Sequence, residues 1–464
     1  MYNFVPVKEE LEVRRAELLR LLPDQAVFIL VSNGIQLRNS DVEHTFRQNS
    51  SFWYLSGIDE PNCVLLVLKT FYKYESVLFV PEIDQTKQAW VCASISFEQA
   101  KKTSGVDSVE PLSSLDKILH DYLKPTKNIY FEASLSNNSS LNKQITTLIR
   151  ANELKHKSTQ TFMKKLRVVK SRWEIEQLKK AAQINTLAFN QLQDRLSSQL
   201  QTSFNEAQPF FQDIARPSVY EYQLEAELNY IYKQHNLSWS YPPIVASGNN
   251  ATTLHYTKNN SKISSGDLVL IDAGCELNYY ASDITRTISV GTSLNPAQQE
   301  IYNLVLKANI EAIALLSKAF NKWSVESDEI EHSLDLAEDT QGSLSLQDIH
   351  SKVVRILSQG LIDLNILSGS LEEVLQSQSY KKYFMHATSH WLGLDVHDAG
   401  DYKNPQGDPT ILVPGHVFTI EPGIYIKSDD MNVPPELRGI GVRIEDDVVI
   451  TENGLEVLTE SIGK

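Results

Sequence analysis

Cysteine is scarce in this chain, and its scarcity limits the classes of protein to consider. Only 3 cysteines occur among 464 residues, at Cys63, Cys92 and Cys275. An odd number of widely spaced thiols does not build a disulfide framework and fits a reducing cytoplasm. The N-terminal sequence lacks a basic segment followed by an apolar one, and no apolar run reaches membrane-spanning length. We therefore expect a cytoplasmic protein with no membrane partner.

Positive charge is also in deficit. Lys and Arg number 43 against 58 Asp and Glu, which gives a formal net charge of −15. Because an acidic surface repels phosphate backbones, we expect no nucleic-acid partner. The length and the 42% hydrophobic content suffice for a large core and predict two or three domains.

Strand and helix patterns alternate through the first third of the chain. Apolar runs predict strands at 26–31, 64–68 and 76–80, and amphipathic runs predict helices at 9–22 and 115–123. This alternation indicates an α/β domain over residues 1–167. A capping box, Ser171-Arg172-Trp173-Glu174, then opens the first helix of a second domain, 168–464.

The second domain interleaves helices with strands, and its possible chemistry lies on the strands. Asn295-Pro296 opens one of these helices. An acidic, poorly patterned segment, 324–348, predicts a solvated connection whose role stays open. The whole chain is thus predicted to be of mixed α/β (α+β) class.

Two aspartates sit on a predicted hairpin within the second domain. Runs 268–273 and 279–290 flank a short polar turn. A turn centred between Leu277 and Asn278 places Asp272 directly opposite Asp283, so that the two carboxylates share a face. Adjacent like charges in a core are costly unless a cation neutralises them. The alternative is one aspartate in the turn and one paired with Arg286.

Further ligand-type residues follow downstream. Three of only 11 histidines, His386, His390 and His397, fall within twelve residues. Glu421 ends an apolar strand, and Arg443 and Glu445 are two residues apart, hence on one face of a strand. Four carboxylates and a histidine on strand-like segments of one domain predict a metal site more readily than separate satisfied core residues.

These residues carry a resemblance to a known family. Asp272, Asp283, His390, Glu421 and Glu445, in this order and context, resemble the dinuclear metal ligands of the creatinase/methionine aminopeptidase superfamily with its pita-bread fold. The stretches 385–398, 38–41 and 46–50 are similar to aminopeptidase P in particular. The resemblance implies an N-terminal α/β domain followed by a pita-bread catalytic domain, in a metalloaminopeptidase that releases the residue before a penultimate proline.

The resemblance also implies roles for the ligands. Asp283 and Glu445 would bridge two ions, with Asp272 on one ion and His390 and Glu421 on the other. This oxygen-rich donor set favours Mn²⁺. Two such ions share a hydroxide that attacks the peptide carbonyl, and Glu421 is the candidate general base.

Other residues acquire roles by the same resemblance. His397 and His255 are placed near the scissile carbonyl, His386 on the proline side of the pocket, and Arg443 behind Glu445. The remaining substrate-side candidates are Tyr425, Asp41 and Trp90. Asp41 and Trp90 are expected to act across the interface of a homo-oligomer, a dimer or a tetramer.

Two alternatives remain open from sequence. A prolidase, which cuts Xaa-Pro dipeptides, shares all five ligands and differs at the open or closed end of the pocket. A metal-free binding module or a creatinase-like hydrolase on the same fold would be expected to lose ligands, and all five are present.

Overall fold

The alternating patterns of the first third fold into strands and helices close to the predicted positions. The structure, a computed structural model, describes residues 6–82, 95–199, 219–291, 293–320 and 344–464. The chain divides into two units, Met1–Arg167 and Val168–Lys464. Trp90, Cys92 and residues 324–343 of the acidic segment lie outside the described residues.

The strands of the first unit are Ala26–Val31 (β1), Leu37–Asn39 (β2), Val42–Glu43 (β3), Val64–Lys69 (β4), Tyr74–Val80 (β5), Ser108–Pro111 (β6), Asn128–Phe131 (β7) and His156–Lys157 (β8). Its helices are Lys8–Leu21 (α1), Ser50–Ser56 (α2), Phe97–Ser104 (α3), Leu115–Leu123 (α4), Ser139–Ala151 (α5) and Gln160–Val168 (α6).

One mixed sheet organises the first unit. Its strand order is β6-β5-β4-β1-β7-β8, with β1 and β4 antiparallel and β1 and β7 parallel. All six side chains of β1 are buried, as expected for a central strand covered on both faces. Leu115, Leu119 and Ile145 of α4 and α5 pack into the same apolar cluster as β1. The predicted α/β class of this region is what the structure has.

The helices of the second unit are Arg172–Gln199 (α7), Glu221–Gln234 (α8), Pro296–Phe320 (α9), Leu346–Asp363 (α10) and Leu371–Ser377 (α11). Its strands are Val219–Tyr220 (β9), Ser238–Trp239 (β10), Ile244–Ser247 (β11), Lys262–Ile263 (β12), Leu268–Ala273 (β13), Cys275–Leu277 (β14), Tyr280–Ala281 (β15), Ile284–Ser289 (β16), Val417–Ile420 (β17), Gly423–Ile426 (β18), Ile440–Arg443 (β19), Asp446–Thr451 (β20) and Gly454–Val457 (β21).

Capping chemistry starts the helices of the second unit where the sequence indicated. Ser171 Oγ accepts a hydrogen bond from the Glu174 backbone N–H at 3.3 Å, and Glu174 Oε2 accepts one from the Ser171 N–H at 3.0 Å. α9 begins at Pro296. The helix α10 starts at Leu346 with Ser345 as its cap, so the last residues of the predicted acidic connection are helical.

One face of strand β13 packs against helices, and the other face lies toward Tyr425. Val269 and Ile271 join the cluster that contains residues of α7 and α8, whereas Leu270 joins a cluster with Tyr425. Because side chains alternate along a strand, Asp272 follows Leu270 to the side of Tyr425. Within the described residues, no helix has the length and apolar character needed to cross a membrane.

Candidate metal centre

The hairpin that carries Asp272 and Asp283 turns one position later than predicted. Asn278 and Tyr279 have φ of 51° and 66°, the left-handed conformation of a type I′ turn. Asp272 therefore pairs with Thr285 and not with Asp283, so the predicted pairing was wrong. The two carboxylates are nevertheless neighbours, since the Tyr241 hydroxyl lies 2.5 Å from an oxygen of each.

A glycine permits the close approach of the hairpin strands beside these aspartates. A Cβ at Gly274 would lie 1.8 Å from the carbonyl oxygen of Ser282. Beyond this point the backbone N–H of Asp283 leaves the ladder and donates to Asp447 Oδ2 at 3.0 Å. The local break in pairing turns Asp283 toward the residues that follow β17 and β19.

His390 and Glu421 are brought together by a strand-like contact. The Thr419 N–H donates to the His390 carbonyl at 3.0 Å, and the Glu421 N–H donates to the Thr388 carbonyl at 2.8 Å. His390 Nδ1 lies 3.1 Å from the Trp391 carbonyl, which makes Nδ1 the protonated nitrogen. The other ring nitrogen, Nε2, lies 3.4 Å from Asp283 Oδ2 and 3.8 Å from Glu421 Oε1.

Glu445 completes a group with metal-ligand geometry. One ligand atom from each of Asp283, His390 and Glu445 lies within 4.8 Å of the other two. Glu445 is held by an isolated bridge to Thr285 and by the Thr285 hydroxyl, which donates to Glu445 Oε2 at 2.7 Å. The structure thus connects all five predicted ligands, with Asp272 reached through Tyr241 and Glu421 through His390.

Arg443 contacts Asp272, not Glu445. Its Nη2 hydrogen bonds to Asp272 Oδ2, its Nη1 donates to the Tyr425 hydroxyl at 2.9 Å, and its Nε donates to Thr285 Oγ1 at 3.1 Å. Strand β19 ends at Arg443, so the expected i, i+2 relation with Glu445 does not hold. The predicted support of Glu445 by Arg443 runs through the Thr285 hydroxyl and through the charge of Arg443, which opposes the rise in the pKa of Glu445.

The acids of this site exceed the cations that face them. Asp272, Asp283 and Glu445 are each at most 8% exposed. Burial and the neighbouring carboxylates raise the pKa of Glu445 well above its usual range, and burial raises the pKa of Glu421 to about 7. Burial also raises the pKa of Asp272, although Arg443 opposes the shift.

Asp283 and His390 favour their charged forms, in contrast to the neighbouring acids. Burial favours the neutral Asp283, but the hydrogen bond and charge of His390 outweigh it and lower the pKa of Asp283. Burial likewise disfavours a charged His390, yet Asp283 and Glu421 raise the pKa of His390 to about 9. Hard carboxylate oxygens in excess of local cations are the donor set that divalent ions fit.

His386 and Tyr425 form a neutral wall beside Glu421. His386 Nε2 lies 2.8 Å from the Tyr425 hydroxyl, and Nδ1 lies 2.7 Å from the Ala387 carbonyl. Burial, and then the charge of Arg443, lower the pKa of His386 to about 3. The ring of Phe384 meets His386 edge-on at 4.9 Å. Of these three side chains His386 is partly exposed, whereas Phe384 and Tyr425 are buried behind it.

The remaining predicted residues lie at varying distances from the centre. The His397 ring centroid is 4.3 Å from that of His390, and partial burial followed by the charge of His390 lowers the pKa of His397. His255 is exposed in a turn, close enough for its charge to act on His397. Asp41 is exposed at the turn between β2 and β3 of the first unit.

Two contributing residues were missed from sequence. Tyr241 precedes two prolines, and its link to Asp272 and Asp283 depends on the pairing of β10 with β14, which has no local sequence signal. Asp447 is fully buried and supports Asp283, and burial raises the pKa of Asp447 well above its usual range. The run of three acids from Glu445 to Asp447 in an apolar strand was the available signal.

Comparisons with known proteins identify the family. A profile for metallopeptidase family M24 matches residues 176–452, and a profile for the aminopeptidase P N-terminal domain matches residues 11–130. The chain belongs to metallopeptidase family M24.

Relatives place it more finely within that family. The chain is 35% identical to the Xaa-Pro aminopeptidase of Haemophilus influenzae, over 98% of this chain and 95% of the relative. It is also 35% identical to the Xaa-Pro aminopeptidase of Escherichia coli, over 98% and 96%. A solved structure of an Asp-to-Ala variant of E. coli aminopeptidase P matches with a TM-score of 0.83 at 32% identity, over 99% and 96% of the two chains. The predicted α/β domain followed by a pita-bread domain is confirmed.

Proposed function

We propose that this chain is a metalloaminopeptidase that releases the N-terminal residue from peptides with proline in second position. The observation that carries the proposal is that ligand atoms of Asp283, His390 and Glu445 lie within 4.8 Å of one another in an M24 domain. Asp272 and Glu421 are linked to this group through Tyr241 and His390. Relatives named Xaa-Pro aminopeptidase match almost the full length of both chains. The reaction is hydrolysis of the first peptide bond.

The site is suited to two divalent ions, and we propose Mn²⁺. The ligands would be Asp272, Asp283, His390, Glu421 and Glu445. The oxygen-rich donor set supports manganese over thiolate-preferring metals. Two divalent ions held there would supply a more acidic water and positive charge near the attacked carbonyl oxygen.

Side chains of this protein then transfer the proton, stabilise the developing charge and position the ligands. Glu421 would accept the proton of the attacking water, a role that a carboxylate at the edge of the donor set can take. His397 and His255 donate hydrogen bonds toward the carbonyl oxygen as charge develops. Arg443 holds Asp272 and Tyr425 in place, as partners behind metal ligands commonly do.

The preference for proline has a physical basis in the substrate. An Xaa-Pro bond is a tertiary amide without an N–H, and its ring fixes the leaving side. An enzyme that binds its substrate as an extended strand through that N–H therefore binds an Xaa-Pro bond poorly. His386, which is partly exposed and backed by the buried Phe384 and Tyr425, is the proposed contact for the ring.

One comparison of substrates tests the proposal against the prolidase alternative. We expect an Xaa-Pro-Yaa tripeptide to be hydrolysed with added Mn²⁺, an Xaa-Pro dipeptide to be hydrolysed much more slowly, and an Xaa-Ala-Yaa tripeptide to resist. A preference for the dipeptide would identify a prolidase. No hydrolysis of any of the three, with metal content verified, would favour a binding module.

Three finer assignments accompany the function. We propose a homo-oligomer, a dimer or a tetramer, in which Asp41 and Trp90 trim the pocket of a neighbouring subunit, and dilution to a fully active monomer would reject this. We propose domains at 1–167 and 168–464, supported by the two units. We also propose a cytoplasmic location, which the free thiols of Cys63 and Cys275 support.

A further inference from the structure

Glu221, the first residue of α8, is fully buried and binds four donors from one segment. Its Oε1 accepts from the Ser247 N–H at 2.8 Å and from Asn250 Nδ2 at 2.9 Å. Its Oε2 accepts from the Tyr256 hydroxyl and from the Ser261 N–H, each at 2.8 Å. Both oxygens of the side chain are thereby used in full.

These four donors are spread over the whole loop between β11 and β12. Ser247 is the last residue of β11, and Ser261 directly precedes β12. Asn250 and Tyr256 lie within the loop, and Tyr256 is next to His255. The Glu221 N–H also donates to the Ser261 carbonyl at 3.0 Å. One buried acid therefore joins both ends of the loop to its interior.

The opposite side of the loop rests on the strands that carry Tyr425 and Arg443. A Cβ at Gly441 of β19 would lie 2.3 Å from the carbonyl oxygen of Ala251, so backbone meets backbone there. The Ser428 N–H donates to Asn249 Oδ1 at 3.0 Å. The loop is thus held between Glu221 on one side and the metal-site strands on the other.

We propose that Glu221 is a positioning residue that fixes the 248–260 loop so that His255 reaches the scissile carbonyl. The inference rests on the proposed function, because it assigns His255 to the reaction. Glu221 touches neither the metal ligands nor His255, and it acts through the backbone of the loop. A carboxylate suits this task because an acceptor-only group satisfies four donors at once.

Glu221→Gln tests the proposal with minimal change in shape. The amide turns one acceptor into a donor, which must face either the N–H groups of Ser247 and Asn250 or the pair from Tyr256 and Ser261. At least one donor loses its partner. We expect kcat on an Xaa-Pro-Yaa peptide to fall roughly tenfold to a hundredfold, with little change in KM and unchanged metal content.

The matched control is Glu225→Gln, one turn further along the same helix. Glu225 accepts from Asn259 Nδ2, also a residue of the loop, at 3.0 Å. Because the glutamine amide keeps an oxygen that can accept this bond, we expect Glu225→Gln to leave kcat nearly unchanged. Tyr256→Phe provides a milder variant should Glu221→Gln fail to fold. It removes one of the four donors beside His255, and kcat should fall a few-fold.

A double-variant comparison separates positioning from general weakening. If Glu221 acts through His255, then adding Glu221→Gln to His255→Ala should cost little further activity. Fully multiplicative losses, or an unchanged kcat in either single variant, would overturn the proposal.

Hydrogen exchange on the metal-loaded enzyme gives a readout that does not depend on turnover. Exchange should accelerate in Glu221→Gln within residues 247–261 and not elsewhere. Unaltered exchange there would contradict the role of Glu221 in holding the loop. If the wild-type enzyme cleaved no Xaa-Pro peptide, the proposed function would fail, whereas faster exchange confined to residues 247–261 would still show that Glu221 holds the loop.

Discussion

Two buried polar residues, Gln48 of the first unit and Glu445 of the second, differ in how their surroundings compensate them. Gln48 is fully buried, yet its oxygen accepts from the N–H groups of Asn33 and Asn49, and its nitrogen donates to the carbonyls of Ile58 and Glu60. Glu445 is 2% exposed, and it lies among three more carboxylates faced by two cations, Arg443 and a protonated His390.

The difference separates polar groups that serve the fold from those that serve chemistry. Both ends of the Gln48 amide are satisfied by backbone groups, as expected of a buried polar residue that serves the fold. Glu445 shares its surroundings with Asp272, Asp283 and Glu421, which is costly without a cation. A buried carboxylate cluster that lacks sufficient counter-charge therefore indicates a ligand, whereas a buried amide with four partners indicates architecture.

The largest effect is expected from Glu421→Gln. The change keeps the shape but removes both a ligand charge and the proposed base. We expect kcat to fall by roughly 10³-fold or more, with weaker retention of metal by elemental analysis. An active variant with full metal content would remove Glu421 from both roles.

His397→Ala should fail in a different way. It leaves every proposed ligand in place, so metal content should stay near two ions per chain. Because His397 is proposed to stabilise charge on the carbonyl oxygen, kcat should fall roughly 10²- to 10³-fold with only a small change in KM. If the variant lost its metal, His397 and not His390 would be the ligand.

The crowded acids predict an unusual pH dependence for the metal-free protein. The pKa of Glu421 is raised to about 7 and that of His390 to about 9. A group whose pKa is higher in the folded state stabilises the fold while it is protonated, and this contribution is lost as pH rises through that pKa.

The free energy of unfolding should therefore fall by an amount on the order of several kcal/mol between about pH 4.5 and pH 9 without metal, because Glu421 loses its contribution up to about pH 7 and His390 up to about pH 9. Denaturant titrations at several pH values measure it. With Mn²⁺ in excess the trend should weaken or reverse, because metal binding favours the deprotonated ligands. A metal-free protein whose stability rises over this range would contradict the account of the site.

A substitution in the first unit is expected to leave the metal site unchanged, and it sharpens the comparison from the other side. Gln48→Met keeps the volume but leaves buried N–H and carbonyl groups without partners, which should lower the free energy of unfolding by about 2–4 kcal/mol. Metal content should not change. Loss of metal in Gln48→Met would show that the first unit supports the centre, contrary to the division drawn here.

Sequence patterns were sufficient where one period or one motif decides the structure. The strands 26–31 and 268–273 were predicted with the bounds that the structure has, since the first is a continuous apolar run and the second is interrupted only by Asp272. The Ser171–Glu174 capping box and the five proposed ligands were likewise visible from spacing and resemblance.

The predictions that were wrong or missing depended on how separate segments of the chain pack together. The turn centre was displaced because two consecutive left-handed residues, Asn278 and Tyr279, are not marked by glycine. The partner of Arg443 was misassigned because β19 ends before Glu445, and a break of one residue changes which face a side chain takes. Tyr241 and Glu221 acquire their roles only through contacts distant in sequence.

The central claim is that the uncompensated carboxylates of the second unit exist to hold the ions that drive Xaa-Pro cleavage. The most direct test is to strip the protein of metal, then titrate Mn²⁺ while following bound ions per chain and hydrolysis of an Xaa-Pro-Yaa peptide together. We predict no hydrolysis in the stripped protein and recovery that is complete by two ions per chain. Full activity after exhaustive removal of metal would contradict the account.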